Sequence, residues 1–291
     1  MFHALPANTR GILLMILAMA GFAAADTMIK LAARELSVGY IILGLGAGGT
    51  PVFALAARRA GHALRSGAFW GRGMLVRNAS EIVGTICIIT ALAVADLSLV
   101  SAILQAAPIF VTLGAALAMA APVGPRRWTA IGVGLIGVLM VLQPGGEVTA
   151  GLWLALIGTL ILSVRDLATR AVPDDVPTLV VATYGFSMLI PTGLVLVLFN
   201  PAFPGLSAGL TGIMATAVIL AVIGYYAVTA AMRVGEVAIV TPFRYSRILF
   251  ALAIGVLVFG ERPNALALAG VAVIVGSGLF ILWAARQRKA G

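Results

Sequence analysis

Two arginines three residues apart, Arg244 and Arg247, lie inside the apolar stretch 235–259. At helical spacing they share one face with Thr241, and Tyr245 and Ser246 flank them. Guanidinium groups arranged in this way can grip the oxygens of a carboxylate, phosphate or sulfate. A second polar stripe, Arg77, Glu81 and Thr85, recurs at every fourth residue of stretch 70–94, with Asn78 beside it. Stretch 97–121 carries Ser101, Gln105, Pro108 and Thr112 on one helical face, and stretch 206–233 adds Tyr225, Tyr226 and Thr229. Asp26 with Lys30, and Asp166 with Arg170, form two further pairs of opposite charge at i, i+4. The chemistry on offer is the binding of a small polar or ionic solute by cations, amides and aromatic faces.

The elements that must hold these groups are membrane-spanning helices. Of the 291 residues, 62% are hydrophobic and only 10% are charged, where a soluble domain carries roughly 25% charged residues. Mean hydropathy is +1.11. Each charge at a span centre costs about 2.5–3.5 kcal/mol on insertion scales, so such groups face a cavity or a partner rather than lipid. Stripes on four helices therefore predict a shared wet cavity. The plainer alternative is that these groups only bond to one another and hold the helices together. If Glu81 pairs with Arg77 on its own helix, at least one arginine of stretch 235–259 lacks a protein counter-ion.

Hydropathy predicts ten spans, near 9–34, 38–57, 70–94, 97–121, 127–143, 150–172, 177–199, 206–233, 235–259 and 264–285. Breakers such as Pro122-Val-Gly-Pro125, Pro144-Gly-Gly146 and Asn200-Pro201 separate them. Arg10, Arg58, Arg59, Arg65, Arg72, Arg126, Arg127, Arg170, Arg233, Arg286, Arg288 and Lys289 fall on one side, against little beyond Arg34 and Arg262 on the other. The positive-inside rule then predicts both termini in the cytoplasm, within a bacterial inner membrane. The first apolar run reads as an uncleaved span.

Shifting the sequence by 140 positions aligns Asp26 with Asp166, Lys30 with Arg170, Pro51 with Pro191, and Asp96 with Glu236. Charges are scarce here, so their recurrence in register carries more weight than matches of Leu or Val. The chain divides into a five-helix unit at 1–145 and another at 146–291. An odd span count makes the second copy enter the membrane from the opposite side, the inverted repeat of secondary transporters. The two i, i+4 pairs become either intrahelical salt bridges or paired gates closing alternately over the cavity. Asp96 and Glu236 serve as helix N-caps equally well.

Several functions are excluded by what the sequence carries. The net charge of +9 is spread over short loops and belongs to membrane topology rather than to a nucleic-acid partner. No Walker A loop, metal-ligand cluster or catalytic triad occurs, so an ATP-driven pump and an intramembrane lipid-modifying enzyme both lack their chemistry. No cofactor is expected, and Cys87 is a small core residue. The expected partners are a small-molecule substrate and the bilayer. Nothing in the sequence decides whether two copies associate.

The segments Ala95-Asp-Leu-Ser-Leu-Val-Ser-Ala102, Pro108-Ile-Phe110, Gly235-Glu-Val-Ala-Ile-Val-Thr-Pro242 and Phe259-Gly-Glu-Arg-Pro263 resemble the drug/metabolite transporter superfamily. The likeness is to its EamA-type members with two five-helix repeats. In detail the chain is most similar to the YddG-type aromatic amino-acid exporters. That resemblance implies efflux of phenylalanine, tyrosine or tryptophan; an organic phosphate or sulfur metabolite is the alternative cargo. For an amino acid, Arg244 or Arg247 would take the carboxylate and Glu81 or Asn78 the amine, with Gln105 in the same cavity. Tyr225, Tyr226 and Tyr245 would offer surfaces for the side chain. The first half departs from the pattern, because Pro122-Val-Gly-Pro125 stands where the second half has Glu261-Arg262-Pro263.

Overall fold

The structure is a computed structural model that describes residues 5–64, 67–118, 124–143, 150–169, 171–173, 175–203, 205, 207–235 and 237–290. In lipid every backbone N–H and C=O must be satisfied within its own segment, which makes a long apolar run a helix. The described chain accordingly forms α1 (Ala7–Ala32), α2 (Val38–Arg59), α3 (Arg72–Val94), α4 (Leu97–Leu104), α5 (Ala107–Ala118) and α6 (Pro125–Leu142). The second half forms α7 (Ala150–Thr169), α8 (Thr178–Phe199), α9 (Ala208–Val234), α10 (Val237–Val240), α11 (Ser246–Phe259) and α12 (Ala265–Ala290). Among the described residues nine helical segments are long and apolar enough to cross a membrane, and Trp128–Leu142 is a shorter apolar helix. Each of the ten expected spans corresponds to one of these. Large apolar side chains such as Leu198, Phe199 and Leu257 remain on the outer surface, 78%, 84% and 82% exposed, as a lipid-facing shell requires.

Two spans are interrupted. The fourth breaks between α4 and α5 at Gln105-Ala106, because Pro108 has no N–H for the carbonyl of Leu104. The ninth unwinds from α10 through a 3-10 turn at Thr241–Tyr245, which contains Pro242, before α11 begins. Shifted by 140 positions, the first break at 105–106 becomes 245–246, which meets the end of the second break at 241–245.

The closest helix pairs are α1 with α9, α2 with α8, α3 with α7, and α6 with α12, and α4 also meets α11. Every one of these joins the first half to the second. Small residues permit the tightest approaches. A Cβ on Gly193 of α8 would lie 2.5 Å from the backbone nitrogen of Leu43 in α2, and one on Gly46 would lie 2.8 Å from that of Ile190. Leu97, Val100, Ile103 and Ile109 of the broken fourth span are completely buried at the centre of the core.

Candidate functional site

A cavity of about 650 Å³ opens among α1, α3, α4, α7, α8, α9 and the unwound segment before α11. It runs from Val172, Pro173, Val176 and Thr178, between α7 and α8, towards Ile29, Leu45, Leu92 and Leu189. Four arginines line it, Arg77, Arg165, Arg244 and Arg247, against three acids, Asp26, Glu81 and Asp166. The cavity thus holds one positive charge in excess.

The acids are all engaged. Glu81 meets Arg77 on its own helix at 3.3 Å and Arg165 of α7 at 3.2 Å. Asp166 takes Arg165 at 2.8 Å, and Asp26 of α1 takes Arg247 of α11 at 2.5 Å. Arg247 also lies over the ring of Phe22, 5.4 Å from its centroid. Arg244 is the exception: its side chain reaches the cavity and forms no ion pair with any described residue. Its place follows from the helix break, since a 3-10 turn rotates residues differently from the α-helix that succeeds it. The backbone carbonyl of Arg244 accepts a hydrogen bond of 2.8 Å from Gln105 Nε2, across the two breaks.

One wall is aromatic. Phe22, Phe186 and Tyr225 line the cavity. Phe53 stands behind two of them, its ring centroid 4.9 Å from Phe186 and 4.8 Å edge-on from Tyr225.

The structure brings Arg244, Arg247, Glu81, Gln105, Tyr225, Asp26 and Asp166 to this one cavity. It does not bring the others. Asn78 is buried behind Arg77, accepting its N–H at 3.0 Å. Tyr226 is 69% exposed on the outer surface, because adjacent helical residues point about a quarter-turn apart and only Tyr225 can face inward. Tyr245 is buried beside Gly278 of α12, where only the missing Cβ leaves room for its ring. Lys30 lies outside the cavity. Arg170 and Glu236 fall outside the described residues.

The expected intrahelical pairing of Asp26 with Lys30 is replaced by two long-range pairs. Asp26 turns to Arg247, and Lys30 turns to Glu261 at 3.4 Å and to the carbonyl of Ala95. Asp166 likewise bonds Arg165 beside it. Glu261 also accepts from the backbone of Leu97 at 2.6 Å, the backbone of Ser98 at 3.0 Å and the Ser98 hydroxyl at 2.6 Å. It therefore caps the start of α4 from across the molecule, in favourable alignment with that helix's dipole. Asp96 occupies the N-cap position but makes no side-chain cap bond. Gly260 allows this geometry: its φ of 67° ends α11 in a left-handed turn, and Glu261 N–H bonds back to Gly255 O at 2.9 Å.

Sequence reasoning did not assign Arg165, Phe22 or Phe186 to the site, nor a role to Glu261. Arg165 carried a signal, an unneeded charge in an apolar span beside Asp166. The two phenylalanines carried none, since aromatic residues are common on lipid-facing and packed faces alike.

A riboflavin transporter of Rhizobium johnstonii is 30% identical over 200 residues, covering 62% of this chain and 60% of that one. A riboflavin transporter of Vibrio cholerae serotype O1 is 28% identical over 196 residues, covering 65% and 63%. The alignments thus span less than two thirds of these relatives' length. A crystal structure with 18% identity matches the fold with a TM-score of 0.67, over 96% of this chain and 98% of that one. Residues 149–283, the greater part of the second half, match the EamA-like transporter family.

Proposed function

We propose that this chain is a secondary carrier that moves a small planar aromatic metabolite rich in hydrogen-bond acceptors across a membrane, with a flavin as its leading cargo. In this reading residues 1–145 and 146–291 are inverted five-helix repeats. The helix pairs support it, because exchanging the halves turns α1 with α9 into α7 with α3 and leaves α2 with α8 unchanged. Interrupted helices that meet at the wall of a central cavity are the usual construction of a carrier's binding site. The distribution of loop arginines supports termini on the cytoplasmic side.

The observation that carries the cargo assignment is the unequal saturation of charge. Asp26, Glu81 and Asp166 are all bound to arginines, while Arg244 stays open to the cavity. A substrate bearing carbonyl or anionic oxygens finds a donor there, and its ring finds Phe22, Phe186 and Tyr225. The volume suits a drug-sized ligand. The names of the two relatives point to the same class. An aromatic amino acid is the second reading: Arg244 would take its carboxylate and the aromatic wall its side chain. Its ammonium group, however, would find in the cavity no acid among the described residues that is not already paired.

Uptake of tritiated riboflavin and tritiated phenylalanine into liposomes containing the purified protein separates the two. Riboflavin is expected to enter, and Arg244→Ala to lower its initial rate at least tenfold, with Arg244→Lys restoring part of it. Phenylalanine flux without riboflavin flux would overturn the flavin assignment. Unchanged riboflavin flux in correctly inserted Arg244→Ala would remove Arg244 from the site.

A further inference from the structure

Gln105 sits where α4 ends, lines the cavity, and is 8% exposed. The only hydrogen-bond partner of its side chain among the described residues is the main-chain carbonyl of Arg244. A carbonyl can only accept, so the amide must present its NH2 group to it, and the orientation of Gln105 is fixed by that contact. The remaining Oε1 therefore points away from Arg244 O. No described group donates to Oε1, and it is not among the buried polar atoms sealed from solvent. It is an acceptor left open on a residue that lines the cavity.

The same contact ties Gln105 to the main chain of Arg244, whose side chain opens onto the same cavity. Gln105 and Arg244 belong to the two facing helix breaks, and the bond between them sets the position of one against the other. Both residues line the one cavity, which therefore holds guanidinium N–H donors and a carbonyl-type acceptor. We infer that Gln105 is a specificity-determining residue, and that the pair recognises a cyclic imide or ureide edge, an N–H flanked by carbonyl groups. This rests on the cargo reading above and deepens it. The ring bearing that edge would lie against Phe186 and Tyr225, with its N–H donated to Gln105 Oε1 and a neighbouring carbonyl on Arg244.

Other chemistries satisfy the pair less well. A lone carboxylate engages Arg244 but leaves Gln105 Oε1 without a donor once water is displaced, which is the more costly half of a lost hydrogen bond. An ammonium group suits Oε1 but is repelled by Arg244. A site built around a donor in this way rejects analogues that lack it far more strongly than one shaped only by apolar contacts.

The test uses full-length protein in liposomes and compares riboflavin, which carries such an N–H, with its derivative methylated on that imide nitrogen, each as an inhibitor of tritiated riboflavin uptake. The wild type is expected to prefer the parent roughly tenfold or more. Gln105→Met, similar in length and without the amide donor and acceptor, is expected to bring the two compounds to within about twofold, which also controls for the bulk of the methyl group. Equal inhibition of the wild type by both compounds overturns the inference while leaving riboflavin transport standing. Retained preference in an inserted Gln105→Met protein overturns it as well. If Gln105→Met does not insert, the wild-type ratio alone decides. Absence of any riboflavin uptake by the wild type instead removes the cargo reading, and this inference with it.

Discussion

Glu261 and Arg244 are both charged groups inside an apolar bundle, yet their surroundings are opposite. The carboxylate of Glu261 has a cation in Lys30, two backbone N–H groups at the start of α4 and the hydroxyl of Ser98. Its side chain is only 4% exposed. Arg244 has no described carboxylate in contact and opens onto a cavity. A saturated charge has nothing left to offer a ligand, and its partners depend on it. An unsaturated one adds little to the fold and remains available for binding. The difference separates a structural joint from a binding group better than residue type or depth does.

Substitutions can break that contrast, and the largest effect is expected at the joint. Glu261→Ala leaves Lys30 without its carboxylate, with only the carbonyl of Ala95, and leaves the first N–H groups of α4 without their acceptor. Loss of one member of a buried pair costs on the order of 3–5 kcal/mol. Thermal unfolding in detergent should show a marked fall in apparent Tm; an unchanged Tm would mean that the joint is not structural. Next in size is a comparison of the two neighbouring arginines. Arg247→Ala leaves Asp26 unpaired and is expected to cost about 1.5–3 kcal/mol, whereas Arg244→Ala should change stability by less than about 0.5 kcal/mol. Equal destabilisation by both would erase the distinction drawn here.

The smallest effect is expected at Asp96, which borders the joint without a cap bond. Partial burial pushes its carboxyl above the ordinary value of 3.8, and Glu261 adds to this while Lys30 opposes it. A raised folded-state value means that ionisation works against the fold. The contribution is favourable while Asp96 is protonated, below about pH 3.8, and is lost as pH rises through the folded-state value. Asp96→Asn should therefore be slightly more stable than the wild type near neutrality, with the advantage shrinking towards pH 3.8. A Tm difference that does not vary with pH would show that folding leaves the Asp96 carboxyl at its ordinary value.

The spans were legible in the sequence because lipid imposes one rule, an unbroken apolar run of about 20 residues. The face carrying Arg77, Glu81 and Thr85 was legible too, since it follows from the pitch of a single helix, and all three line the cavity. What the sequence hid was pairing between distant residues. Asp26 and Lys30 stand one turn apart, but Arg247 and Glu261 lie closer to their side chains once α11 packs on α1 and α4. That choice depends on packing, which no local spacing encodes. The helix breaks were half legible. Pro108 and Pro242 are visible as breakers, but Pro51 and Pro191 lie inside α2 and α8, which continue past them. Proline alone therefore does not tell which span unwinds.

Where α2 crosses α8, no side chain lies between Gly193 and the backbone of Leu43, or between Gly46 and that of Ile190. Main chain rests on main chain, so there are no rotamers there to reshuffle and no slack to take up. That crossing behaves as the spine of a book. In the carrier proposed above, the remaining helices would swing as covers, and the exchange of one opening of the molecule for another would pivot about this seam.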